Sequence, residues 1–463
     1  MDYLYIIGLG LLLAIVAALN TVAMVWIAFA LAMIVEPIAS MLFPEIGRLH
    51  WIVTIFYVWV WLILIARLAL GKIERTPKKI PLPFLFFFVF LFCGALGSAY
   101  VYDFSEAIAG GKGYFQAWVI PFVFYFVLKQ EKTVASFAFG LLLLASIQPL
   151  VTAVQIFLWS DRPYFGDSLG GTFGNAGGTG AMLSMFQLIQ VLVVLSLFRF
   201  GVIKGRWAFL LAAWICSPLL WTHAKAVIVL LPVGFGLLFW RDLRARPLFA
   251  TGMMLAGLAF SGVAALQYYH DMKLYKDDPS QVPATFGDFI DGALGYAVMD
   301  TGREKLNRGT SLLYWAEMHG LFRNPLETLV GHGLGSAKES GQVLGHLYES
   351  TEYGRPGMGG TTIARLLWEV GLIGSLSFIA AFLAVGRNAA RLSADGRVPM
   401  RQRAFLAAYG AVSIVFVISM FWRSDFVENV TFGTFALFFF GYVMYWLRVM
   451  GNEDGDVAKC PHC

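Results

Sequence analysis

The sequence predicts an all-α polytopic membrane protein with about 12–13 transmembrane helices and one large external, periplasmic loop between late helices. Three observations carry that prediction. Hydrophobic residues make up 59% of the 463 and charged residues only 14%, against about 25% charged in an ordinary soluble domain. A soluble surface cannot hide so many apolar side chains. The apolar runs approach the ~20 residues that carry an α-helix across a bilayer, and they lack the two-residue alternation of a β-barrel strand. Basic residues concentrate in every second connection between the runs. The same composition excludes a soluble enzyme, a disordered chain and a collagen-like fibre.

Taken in order, the runs fall at about 4–19, 21–42, 51–70, 84–100, 115–128, 133–158, 179–198, 207–221, 226–240, 248–266, 362–386, 404–422 and 429–447. The first two part only near Asn20, and the run at 115–128 is short and carries Pro121. The connections at 71–80, 129–132, 199–206, 241–247 and 387–403 hold 17 Lys or Arg, whereas the alternate short ones hold only Arg48, Lys112, Arg162, Lys225 and Arg423. The positive-inside rule assigns the first set to the cytoplasm and the second set outside. Thirteen spans put the N-terminus outside, in keeping with an uncharged start apart from Asp2, and the first run reads as a retained span rather than a cleaved signal. The chain then divides into an N-terminal transmembrane bundle (1–266), a large periplasmic loop with short helices (267–361), C-terminal transmembrane helices (362–448) and a cytoplasmic tail (449–463).

The loop 267–361 holds eight Lys or Arg and twelve Asp or Glu, so it is acidic by four charges, and a helical piece is expected over Leu312 to Phe322. Long external loops are often functional. The net charge of +5 is no nucleic-acid signal, because the basic residues lie mostly in short connections. Cys93 and Cys216 sit in apolar runs as small hydrophobes. Cys460 and Cys463 end the chain in Cys-Pro-His-Cys, too few ligands to close a zinc site.

No P-loop, dinucleotide fingerprint or nucleophile elbow is present, and Gly331-His332-Gly333-Leu334-Gly335 reads as a turn because no strand precedes it. Six of seven His fall at predicted external positions: His50, His223, His270, His319, His332 and His346. They are either ordinary loop residues or the mark of an external site with a titratable base. Thr222-His223-Ala224-Lys225 stands at the external membrane edge, where Lys225 either snorkels to water or binds phosphate. Thr362, Arg365 and Glu369 share one helix face, and Arg365 and Glu369 are i, i+4 neighbours, either a packing pair or part of a wet site. Arg303 to Arg308, followed by Trp315, is a basic cluster that is either solvated surface or, folded over Lys225, part of a diphosphate site.

Four stretches together resemble the O-antigen ligase and O-antigen polymerase superfamily of membrane glycosyltransferases. They are Gly171-Thr172-Phe173-Gly174-Asn175; Thr222 to Ala226; Trp315-Ala316-Glu317 through Asn324-Pro325 to Gly331-His332-Gly333-Leu334-Gly335-Ser336; and Leu366-Leu367-Trp368-Glu369-Val370-Gly371-Leu372-Ile373-Gly374. The likeness covers roughly residues 165–385. It implies an inner-membrane enzyme that takes glycan from a polyprenyl-diphosphate-linked donor on the periplasmic face and joins it to a glycan or lipid acceptor. It needs no nucleotide sugar, metal or cofactor. Lys225 stands where the family has Arg, and the ligase Pro-His-Asn falls near Gly360-Thr361; the missing His argues for a polymerase-like or divergent member over a lipid-A-core ligase.

On this reading the donor is bound by Lys225, Arg303, Arg308, Arg365, His223, Asn175, Trp315 and Glu369, and the candidate bases are His319, His332 and Glu317. Neutralising the diphosphate makes it a good leaving group. The partners are membrane lipids, the donor and acceptor, and other polysaccharide-assembly proteins, with no nucleic acid. The alternatives are a transporter or flippase for a lipid-linked glycan, against which the lack of an internal repeat counts, and a scaffold of a polysaccharide export machine.

Overall fold

The computed structural model describes residues 10, 14–43, 50–71, 73, 80–101, 104–159, 165–222, 224–275, 283–289, 291–292, 306–320, 324–339, 344–350 and 352–457. Among these residues there is helix and turn but no strand, and nine helices are long and apolar enough to cross a membrane. They are Thr21–Leu42, Trp51–Ala69, Leu82–Ala99, Glu131–Leu158, Thr179–Arg199, Pro247–Lys273, Thr362–Leu392, Met400–Met420 and Val430–Gly451. Two shorter apolar helices, Gly205–Leu220 and Ala226–Phe239, stand where two further runs were expected. The chain is an all-α polytopic membrane protein. The predicted run at 4–19 lies partly outside the described residues, and its remainder, 10 and 14–19, is helical. The run at 115–128 differs from expectation. It is split by a turn at 116–118 between the short helices Phe104–Phe115 and Val119–Phe126.

Burial sorts the helices into inner and outer ones. The most apolar windows of Thr179–Arg199 and Val430–Gly451 are each 89% buried, against 33% for Trp51–Ala69 and Pro247–Lys273. A helix apolar all round is the kind that other helices can surround. The outer helices turn Ile55, Leu62, Ile65, Leu255 and Leu258 outward, as lipid-facing surface requires. An aromatic seam binds the inner helices. Trp118 stacks on Phe87 at 3.8 Å and meets Phe378 and Phe440 edge-on at 6.0 and 5.1 Å. Thr362–Leu392 packs against Leu82–Val101 and Met400–Met420.

The expected helix at Leu312 to Phe322 begins earlier and stops earlier, as Arg308–His319. Its start is set by a capping box, in which the Asn307 side chain accepts from the Thr310 N–H and the Thr310 hydroxyl accepts from the Asn307 N–H. It ends at Gly320, at φ 51°, a conformation glycine adopts without penalty.

One end of the bundle gathers 36–43, 50–54, 97–101, 104–116, 331–338, 361–369 and 423–431, segments that charge assigns to the outside. The other end carries Arg199, Arg403 and Arg448.

Candidate functional site

The site at the predicted outer end begins with a break in a helix. Within Thr362–Leu392, Gly371 leaves the helical region at φ 65°, ψ −169°. A break leaves carbonyls of the preceding turn available. Those of Trp368 and Glu369 accept from the N–H groups of His332 and Gly333 at 2.8 and 3.0 Å. The glycine-rich turn thereby docks against the helix. Its other flank meets Leu82–Val101 and Phe104–Phe115 backbone to backbone. A Cβ at Gly110 would lie 2.1 Å from the Gly335 nitrogen, and the Ser98 hydroxyl accepts from the Leu334 N–H at 3.0 Å. The run is a turn, as expected, and its glycines serve close approach.

Docking this turn brings three of the predicted external histidines together. His319 Nε2 lies 3.1 Å from His332 Nε2. His319 Nδ1 lies 3.0 Å from the Trp315 carbonyl, which only accepts, so Nδ1 carries the proton. Neutral His319 then accepts through Nε2, and His332 donates from its own Nε2. Burial, with added repulsion whenever a neighbouring imidazole is protonated, holds His332 down to about 3; burial likewise lowers His319, against the pull of the Trp315 carbonyl and Glu327. His346 meets buried Glu106 through Nδ1 at 2.9 Å. Trp315 stacks on His319 at 4.8 Å, and Trp368, fully buried, covers both imidazoles. The network is packed interior, and neither His319 nor His332 lines the cavity beside it.

That cavity has a volume of about 410 Å³ and mixed charge. Arg365, Lys112 and Lys338 line it together with Glu36, Glu339 and Glu428. Arg365 is tied on two sides. Its Nε donates to Glu369 at 3.0 Å and its Nη1 to Glu428 at 2.7 Å. Glu369 is fully buried and does not line the cavity, so it sits behind the wall that Arg365 helps to form. Lys112 and Lys338 are held differently. Lys112 Nζ lies 4.1 Å above the Trp51 ring, and Lys338 Nζ donates to the Ala109 carbonyl at 3.2 Å. Among the described residues neither lysine has a carboxylate in ion-pair contact. Burial, then the charge of Lys338, lowers Lys112 to about 8, while Glu36 opposes the shift. Burial, then Arg365, lowers Lys338. Two partly desolvated ammonium groups without carboxylate partners favour an incoming anion.

The other predicted site residues are dispersed. Glu317 points outward from its helix and is exposed. Trp315 is buried against the histidines. Arg308 lies 5.5 Å from the Trp422 ring, and Asn175 is half-buried in the turn before Thr179–Arg199. Arg303, His223 and the Lys225 side chain lie outside the described residues, as do Arg48, Arg162, the His50 side chain and the tail with Cys460 and Cys463. The sequence reading missed Glu36, Lys338 and Glu428 and counted Lys112 only as a loop charge. A signal was present in Gly110-Gly111-Lys112-Gly113, a lysine among glycines at the membrane edge. A Cβ at Gly113 would lie 2.1 Å from the Val427 carbonyl, so small residues there let the chain crowd around the cavity. Among the described residues no group of three His, Cys, Asp or Glu is arranged to hold a metal ion. Compared with protein-family models and with curated proteins, the chain matches none.

Proposed function

We propose that this protein is a glycosyltransferase of a bacterial inner membrane, using a polyprenyl-diphosphate-linked glycan on the periplasmic face to polymerise or ligate a surface polysaccharide. The observation that carries the reading is the cavity at the predicted outer end of the bundle, with Lys112 and Lys338 lacking carboxylate partners among the described residues. Its volume of about 410 Å³ accommodates a diphosphate with a sugar attached. The two ammonium groups neutralise charge that grows on the diphosphate as its bond to the sugar lengthens. Arg365, already matched by Glu369 and Glu428, holds the wall. The likeness of 165–385 to the ligase and polymerase superfamily supports the same class of reaction.

The test is deletion of the protein in its host, with carrier-linked glycans and surface polysaccharide analysed together. Single repeat units accumulating on the carrier, with long polymer lost, are expected for a polymerase. Long polymer stranded on the carrier identifies a ligase. Unchanged carrier glycans and unchanged polysaccharide remove the glycosyltransferase reading.

A further inference from the structure

The reaction proposed above needs a group that takes a proton from the acceptor hydroxyl, and the histidines expected in that role are packed away from the cavity. The cavity's own carboxylates are not equivalent. Glu428 accepts from Arg365 at 2.7 Å and from the Ser424 hydroxyl at 2.7 Å. Glu369 lies behind the wall, bonded to Arg365 at 3.0 Å. Glu339 is exposed and accepts from the Tyr348 hydroxyl at 3.2 Å. Glu36 alone is both half-buried at the cavity and clear of an ion pair among the described residues. Among the described residues its one hydrogen bond is from the Ser40 hydroxyl to Oε1 at 3.1 Å, and none of them engages its second oxygen.

The backbone around Glu36 is also unusual. The Thr21–Leu42 helix widens to a π-helix over Leu31–Val35, and Glu36 is the first residue after it. Such turns insert one residue into a helix, re-aim the side chains that follow, and recur at functional sites. The widened turn is secured from the cavity side, where the Thr431 hydroxyl donates to the Ala32 carbonyl at 2.6 Å. Thr431 itself lines the cavity. A carboxylate late in an apolar run is costly at membrane depth, so such residues turn to a wet interior and tend to be functional.

We infer that Glu36 is the general base of this site, receiving the proton of the acceptor hydroxyl; the inference rests on the glycosyltransferase reading. The hydroxyl oxygen bonds to the anomeric carbon of the donor sugar as its proton passes to a Glu36 carboxylate oxygen. The bond from that carbon to the diphosphate breaks, and its electron pair stays on the diphosphate oxygen beside Lys112 and Lys338. The products are the new glycosidic bond and the polyprenyl diphosphate. The charged groups that share the cavity lining with Glu36 are Lys112, Lys338, Arg365, Glu339 and Glu428.

The experiment complements the deletion strain with the full-length wild type, Glu36→Gln and Glu36→Ala. Turnover is then measured in isolated membranes across pH, with the carrier-linked glycan accumulated by the deletion strain as probe. A positioned base contributes about 10²–10⁴-fold. Glu36→Gln, close to isosteric, is expected to reach wild-type levels in the membrane, to retain the probe, and to lose about that factor in turnover. It should also lose the acid limb of the pH profile, and added formate should restore part of the turnover of Glu36→Ala. Turnover of Glu36→Gln within about twofold of wild type overturns the assignment while leaving the glycosyltransferase reading intact. Loss without formate rescue and with the acid limb retained assigns Glu36 to structure and overturns it as well. A deletion strain with unchanged carrier glycans and polysaccharide removes both inferences at once.

Discussion

The two ends of this bundle treat their cations in opposite ways. At the basic end, predicted to be cytoplasmic, Arg199 pairs with Asp242 at 2.6 Å and donates to the Leu238 carbonyl at 2.9 Å. Arg403 donates to the Ser393 carbonyl at 2.9 Å, and Arg448 to the carbonyls of Tyr125 and Leu128. These guanidinium groups close off helix ends by satisfying carbonyls that have no intrahelical partner. At the other end Arg365 is likewise tied, by two carboxylates, but among the described residues Lys112 and Lys338 have no carboxylate in ion-pair contact, and Lys338 meets only the Ala109 carbonyl. A cation matched by protein groups stabilises the fold. One left facing a cavity keeps its charge for a ligand. Sign and position alone, the information in a loop count, do not separate the two uses.

The largest expected effect breaks the comparison at Arg365. Arg365→Ala strands fully buried Glu369 without a counter-charge, a loss of about 3–5 kcal/mol against a total stability of about 5–15. Folded protein should largely disappear from membranes, as read by quantitative blotting and thermal unfolding in detergent. Adding Glu369→Ala should restore part of it, because the stranded charge is gone. A single variant that folds normally and is inactive would instead move Arg365 into the group of ligand-facing cations.

A smaller effect in stability, though large in activity, is expected from Lys112→Ala with Lys338→Ala. The protein should insert and unfold as wild type does, while glycan transfer falls by at least about 10²–10³-fold, the range for removing one positioned electrostatic stabiliser. Unchanged surface polysaccharide in the complemented deletion strain would show that these lysines bear no ligand charge.

The smallest effect concerns the histidine network. His332 is held at about 3 in the docked turn and returns to about 6.5 when the turn is undocked, so the undocked state binds more protons between those values. Docking is therefore fully stable above about pH 6.5 and weakens as pH falls, by about 1 kcal/mol at pH 6 and up to about 1.4 kcal/mol per further unit. Hydrogen exchange of 325–336 should speed up accordingly, and His332→Phe should remove most of the slope, leaving the smaller part that His319 contributes. Exchange that does not change between pH 7 and pH 5.5 would contradict the neutral histidine pair.

The membrane class, most of the spans and the partnership of Arg365 with Glu369 were legible in the chain, because each depends on residues close in sequence. Apolar runs of sufficient length declare themselves, and an i, i+4 pair meets on any helix. Other particulars were not legible. His319 and His332 were each expected as a base; instead they share a hydrogen bond inside a packed turn, because the Gly371 break supplies carbonyls that draw the turn in. Trp315 was grouped with the glycan-binding residues and is covered by His319 and its neighbours. Glu36 was not among the residues singled out.

What the sequence determined alone was solvent and periodicity: which segments enter a bilayer, where connections fall, and which charges share a helix face. The tertiary structure decided which charges meet. Glu36, Lys112, Lys338, Arg365 and Glu428 come from five separate segments, and they line one cavity only because the helices that carry them pack with their like ends together. Helix formation is local, whereas the pairing of a charge is settled by whichever group packing brings within reach, here a glutamate 63 residues away from Arg365 in the chain and no carboxylate for Lys112 among the described residues.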